Sequence, residues 1–128
     1  MRLLLDTHVL LWALIEPTRL TSSARSVLED PQHEVLFSAA SIWEIAIKHA
    51  LGRADFQVAP DAIVHAALES GFAELPVRSA AALRVAQLAP LHRDPFDRLL
   101  IAQAMTEPAI FYTADETLQA YSELVVRV

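Results

Sequence analysis

Four carboxylates occupy places in this chain where a freely solvated charge is not the expected neighbour. Asp6 follows the apolar run Leu3-Leu4-Leu5 directly. Glu44 interrupts the segment Ile42-Trp43-Glu44-Ile45-Ala46-Ile47. Asp97 lies within His92-Arg93-Asp94-Pro95-Phe96-Asp97-Arg98-Leu99-Leu100-Ile101-Ala102, and Asp115 follows Ala109-Ile110-Phe111-Tyr112 through Thr113-Ala114. A carboxylate turned toward apolar surroundings costs several kcal/mol unless a cation or hydrogen-bond donors satisfy it. If the four meet, their repulsion requires a cation. The chain has no cysteine, so metal ligands must be oxygen or imidazole. An all-oxygen set with open positions favours Mg²⁺ or Mn²⁺ over zinc. Such a site activates water and clamps a phosphodiester, with two ions about 3.5–4 Å apart if both positions fill. Hydrolysis of a nucleic-acid backbone is the chemistry this implies.

Each acid also has a purely structural reading. Asp6 is a preferred helix N-cap, a task Thr7 can share. Glu44 can pair with Lys48 one helical turn on, which is worth only about 0.3–0.5 kcal/mol on an exposed helix. Asp94, Pro95 and Asp97 occupy N-cap, N1 and N3 of a variant capping box, both acids complementing the helix dipole. Asp94 is read mainly as that cap. Asp97 lies on the arc of Leu100, Ile101 and Ala104, opposite a polar side defined by Arg98, Gln103 and Thr106, and so points toward the core. Asp115 can cap a helix beginning near Glu116.

The elements that must carry these acids alternate. Arg2 to Leu5 has strand length and composition, and Thr7 to Ile15 reads as a helix stopped before Pro17. A helix follows from Ser22 to Glu29, then a strand from Glu34 to Phe37 and a helix from Ala40 to Leu51 ended by Gly52. The spacing predicts a helix from Asp61 to Ser70, a short strand near Leu75 and Val77, and a helix from Ser79 to Leu88. Asp94-Pro95 opens a helix to Met105, Ala109 to Tyr112 is an apolar strand, Glu116 to Tyr121 a short helix, and Leu124 to Val126 a last strand. Short apolar strands separated by helices argue for an α/β fold, a mostly parallel central sheet flanked by α-helices on both sides. Ligands of such sheets bind beyond the carboxyl ends of the strands. Asp6 and Asp115 both follow strands, and Glu44 shares a narrow polar stripe with Ser41 and Lys48 on its helix.

Composition bounds the rest. At 128 residues, 54% hydrophobic and with only two glycines, the chain reads as one folded domain spanning residues 1–128, with no repeat or low-complexity tract. The longest apolar run, Val9 to Ile15, is far short of the roughly 20 residues of a membrane span. Asp6 and His8 interrupt the N-terminal leucines, so no secretory signal is read there, and the expectation is a soluble, cytoplasmic protein. A formal net charge of −6 excludes a polycation built to coat nucleic acid. It leaves room for nucleic acid met through metal ions, which present positive charge to phosphate.

Leu3-Leu4-Leu5-Asp6-Thr7-His8, Ser41-Ile42-Trp43-Glu44-Ile45, His92 to Ala102 and Thr113-Ala114-Asp115 together resemble the PIN domains, and within them the VapC-type toxins of bacterial toxin–antitoxin pairs. The segments span nearly the whole chain in the family's order. The resemblance implies a PIN fold and an endoribonuclease dependent on Mg²⁺ or Mn²⁺, with one or two ions. Residue by residue, Asp6, Glu44, Asp97 and Asp115 match the acidic quartet, with Asp6 and Asp97 as principal metal ligands. Thr7 and Thr113 match the polar residues beside those acids, where they orient a carboxylate or a bound water. Asp94 also matches, as a helix cap or a supporting ligand. The implied mechanism is attack of activated water on phosphorus, leaving 5′-phosphate and 3′-hydroxyl ends, with His92, Arg93 and Arg98 flanking the site as candidate phosphate contacts. The resemblance further implies a homodimer and a cognate antitoxin that blocks the site, DNA binding belonging to the antitoxin.

Other classes fit less well. A receiver-like domain would carry an acidic pair after the first strand and a late lysine, but the only lysine is Lys48. A haloacid-dehalogenase-like phosphatase would have an acid where His8 stands. A PIN-fold RNA-processing nuclease, or a non-catalytic metal-binding module outside any toxin–antitoxin pair, remains an alternative on the same fold.

Overall fold

The computed structural model describes all residues, Met1–Val128. β1 (Arg2–Leu5) is the middle strand of a five-stranded sheet. It is flanked on one side by β2 (Glu34–Ser38) and then β3 (Ala73–Leu75), and on the other by β4 (Ile110–Thr113) and then β5 (Val125–Arg127). All four pairings are parallel. Leu3, Leu4 and Leu5 are fully buried, as a parallel strand covered on both faces requires. Alternation sends Leu3 and Leu5 into one hydrophobic cluster with Val35, Phe37 and Tyr112. Leu4 enters the opposite cluster with Leu36, Phe111 and Leu100. Each buried leucine contributes about 1.5–3 kcal/mol of transfer free energy.

The first cluster is covered by α1 (Thr7–Ile15), α2 (Ser22–Glu29) and α4 (Pro60–Glu69), through residues such as Val9, Leu10, Ala24 and Ile63. The second is covered chiefly by α6 (Pro95–Thr106), through Leu100, Ile101 and Ala104, with α5 (Ser79–Val85) packed beside it. α3 (Ala39–Ala50) contributes to both, Ile45 to the first cluster and Ala40 to the second. The apolar faces of α2 and α4 are thus largely spent on the core.

Besides single-residue shifts at several ends, four elements differ from the sequence expectation. β3 lies earlier, at Ala73–Leu75, because Pro76 offers no N–H to continue the ladder and Val77 is exposed. The α-helical portion of α5 ends at Val85, beyond which Gln87 and Leu88 donate to Arg84 and Val85 in tighter turns. Glu116–Tyr121 is a 3₁₀ rather than an α-helix, and a further 3₁₀ turn, Pro17–Arg19, was not foreseen. Gly52 and Gly71 follow α3 and α4 with φ of +73° and +85°, the left-handed conformation at which helices commonly stop.

Candidate metal centre at the strand ends

Parallel pairing brings the carboxyl ends of the strands to one edge of the sheet. The register sets Leu5 beside Tyr112, so Asp6, one residue on, comes level with Thr113. Thr113 Oγ1 donates a 2.6 Å hydrogen bond to Asp6 Oδ2, and the Thr7 N–H donates to Asp6 Oδ1 at 2.7 Å. Asp6 is therefore both the N-cap of α1 and a buried acid at the sheet edge. Burial pushes its pKa above the usual carboxylate value, and the hydrogen bonds from Thr113 and Thr7 oppose that rise.

Glu44 is carried to the same edge by α3, which leaves β2 directly after Ser38. It is only 3% exposed. Its Oε1 accepts from Thr7 Oγ1 at 2.7 Å, and its Oε2 is ion-paired with Lys48. Thr7 Oγ1 also lies 3.0 Å from Ser41 Oγ. The polar stripe of α3 thus faces inward, whereas Ile47 and Leu51, on the same arc by spacing, are exposed. The pair with Lys48 is not the surface ion pair considered from sequence, because its acid is buried.

α6 delivers Asp94 and Asp97. Asp94 Oδ1 accepts from the N–H groups of Phe96 at 2.8 Å and Asp97 at 3.2 Å, the N-cap role read from sequence, while the residue also lines the cleft. Asp97 is half-buried, and His92 Nε2 lies 2.8 Å from its Oδ2. Desolvation, then the charges of Asp6 and Asp94, push Asp97 up to about 7 against the opposing influence of His92. Asp115 is the N-cap of the 3₁₀ turn, its Oδ1 accepting from Thr117 N at 2.9 Å and Thr117 Oγ1 at 2.6 Å, and these bonds hold its pKa down.

Asp6, Glu44, Asp94, Asp97 and Asp115 line one cleft of about 380 Å³, with His8, Trp12, Lys48 and Ala114 completing its wall. Larger cavities lie elsewhere, but none gathers acids in this way. The cleft holds five carboxyl groups against one lysine, and that lysine is tied to Glu44. Such a donor set fits a divalent cation of oxygen preference.

A PIN-domain family model matches residues 3–124. The chain belongs to the PIN-domain family. This PIN domain is similar to solved structures of VapBC2 from Rickettsia felis bound to a promoter DNA fragment, with a TM-score of 0.75 at 13% identity over 99% of this chain and 98% of that chain. It is similar also to DNA-bound VapBC from Salmonella typhimurium, with a TM-score of 0.72 at 14% identity over 100% and 97% of the two chains. No curated protein matches the sequence closely enough to count as a relative. No helix of the PIN domain is long and apolar enough to cross a membrane.

Two sequence readings are corrected by this geometry. Arg98 does not face the cleft as a phosphate contact, because its guanidinium donates to the carbonyls of Val85, Ala89 and His92 and to Tyr121 Oη. Gln103 is not on a solvent-facing side. It is 2% exposed, accepts from Ser38 Oγ at 2.6 Å and donates to the Pro76 carbonyl at 3.3 Å. Arg93 remains exposed. Sequence reasoning missed His8 and Trp12 as cleft residues, though a helix capped by Asp6 sets them in its first and second turns.

Proposed function

We propose that this PIN domain is an endoribonuclease dependent on Mg²⁺ or Mn²⁺ and acts as the toxin of a VapBC-like pair. The observation that carries the reading is the gathering of five acids in one cleft at the strand ends, Asp6 and Glu44 buried and Asp97 pushed up to about 7, where protein cations are too few. A bound divalent cation would neutralise that charge, polarise the phosphodiester and activate water for in-line attack. Asp97 and Asp115 are the acids freest to bind it, since Asp97 Oδ1 and Asp115 Oδ2 accept no hydrogen bond. Asp6 and Glu44 are held rigidly by Thr113, Thr7 and Lys48, yet each carboxylate oxygen keeps a lone pair for the ion. Thr7 and Thr113 orient these acids rather than contact substrate. Asp94 fixes the start of α6 and so the direction of Asp97.

The similarity to VapBC complexes supports a cognate antitoxin as partner. The net charge of −6 agrees with leaving DNA contacts to that partner. The exposed stripe Trp43, Ile47 and Leu51 on α3 supports a homodimer, and the reading puts the protein in the cytoplasm. The test is cleavage of total RNA by purified protein with Mg²⁺, Mn²⁺ or EDTA, beside Asp6→Ala, mapping the 5′ ends of products. Discrete metal-dependent cuts lost in the variant are expected. No cleavage by folded, antitoxin-free protein in any metal would make the domain a binding module.

A further inference from the structure

His92 lies outside the acidic quartet, yet its imidazole is turned into it. His92, Asp97 and Asp115 each present a ligand atom, and these atoms all lie within 4.8 Å of one another. Adjacent ligands on one octahedral ion, each roughly 2.1 Å from it, stand about 3 Å apart, and opposite ligands about 4.2 Å. The 2.8 Å between His92 Nε2 and Asp97 Oδ2 is close to the first figure. An adjustment on the order of an ångström brings the three atoms onto a common centre.

The loop that carries His92 is also held in place. Arg98 Nη1 donates to the Ala89 carbonyl at 3.0 Å and to the His92 carbonyl at 3.4 Å, and Nη2 donates to the Val85 carbonyl at 3.1 Å. Tyr121 Oη accepts from both Arg98 Nη1 and the Leu91 N–H. Four hydrogen bonds, three donated by the guanidinium and one accepted by the phenol, therefore fix the backbone on which the imidazole rides, and a fifth joins the two side chains. His8 also lines the cleft, but its Nε2 is engaged by Asp55 Oδ2 at 3.0 Å.

We infer that His92 is a nitrogen ligand that joins Asp97 and Asp115 in one cation position, and that this position takes Mn²⁺ in preference to Mg²⁺. Imidazole suits transition ions, whereas Mg²⁺ favours oxygen and water. The inference deepens the reading of the cleft as a divalent-cation site and rests on it. On binding, the proton shared between Nε2 and Oδ2 passes to solvent, which frees the nitrogen lone pair for the ion.

Pulsed electron paramagnetic resonance of the full chain loaded with Mn²⁺ reads nitrogen ligation directly. The wild type is expected to show ¹⁴N coupling that is lost in His92→Ala and kept in His8→Ala. Calorimetric titration is expected to show Mn²⁺ affinity falling about tenfold or more in His92→Ala, with Mg²⁺ affinity changing much less. Because Arg98 grips the His92 carbonyl and not its ring, the variant keeps the loop's anchor. Bound Mn²⁺ without ¹⁴N coupling in the wild type, or coupling that survives His92→Ala, overturns the assignment. RNA cleavage by the same samples separates the two readings. Cleavage without ¹⁴N coupling sinks the ligand and leaves the nuclease, whereas ¹⁴N coupling without cleavage does the reverse.

Discussion

Thr113 and Asp6 stand at the ends of neighbouring parallel strands, and the hydroxyl of one donates to the carboxylate of the other at 2.6 Å. The bond favours the ionised acid, so its loss is felt most where Asp6 would be charged. Thr113→Val keeps the shape and removes the donor. We expect urea melts of the metal-free protein to lose about 1.5–3 kcal/mol at neutral pH and less near pH 4. Equal losses at both would mean that packing, not the bond, is what the hydroxyl supplies.

Asp97 by its own contribution makes the metal-free protein less stable as pH rises. Its folded pKa is raised from 3.8 to about 7, so between these values the folded state holds a proton that the unfolded chain releases. Its contribution therefore weakens as pH rises through that window, and the full penalty is present above pH 7. Asp97→Asn should raise stability at pH 8 by roughly 2 kcal/mol and leave it nearly unchanged near pH 3, while lowering RNA cleavage by about a hundredfold or more. Thermal melts at the two pH values check the first part. Undiminished cleavage would remove Asp97 from the mechanism.

Lys48 and Glu44 form a pair whose acid is nearly inaccessible, with side-chain exposures of 20% and 4%. Removing the lysine strands a buried charge. Lys48→Met should cost about 3 kcal/mol, and adding Glu44→Gln to it should recover most of the loss. A cost below about 1 kcal/mol in the single variant would return the pair to the surface class.

Arg98 serves a carbonyl at the end of α5 and two more in the segment between α5 and α6. A lysine cannot reproduce that fork. Arg98→Lys should destabilise the fold by about 2 kcal/mol and speed amide hydrogen exchange in residues 86–93 more than in the sheet. Unchanged exchange there would show that the segment is held by other means.

The strands and most helices were legible because their signals are local. Leu3-Leu4-Leu5 has strand length and no polar interruption, and Asp94-Pro95 is a helix start in two residues. The inward turn of Asp97 was also legible, from its place on the arc of Leu100, Ile101 and Ala104. What the sequence could not show were bonds between distant segments. Gln103 resembles a surface residue until Ser38 arrives from β2 to meet it. Arg98 resembles a phosphate ligand until the loop before α6 folds over its guanidinium. Helical periodicity put Ile47 and Leu51 beside Glu44, but the inward wedge of α3 is narrower than that arc and leaves both outside.

The central place of β1 in the sheet bears on the order of events during synthesis. Asp6 leaves the ribosome well before the hydroxyl that steadies its carboxylate, which is 107 positions away. Until β4 has emerged and paired, one edge of β1 lies bare, Asp6 lacks its Thr113 donor and Asp115 is not yet at the cleft. A chain still being made therefore has no assembled cleft, and whatever chemistry the cleft performs begins only once residue 115 is free to fold against residue 6.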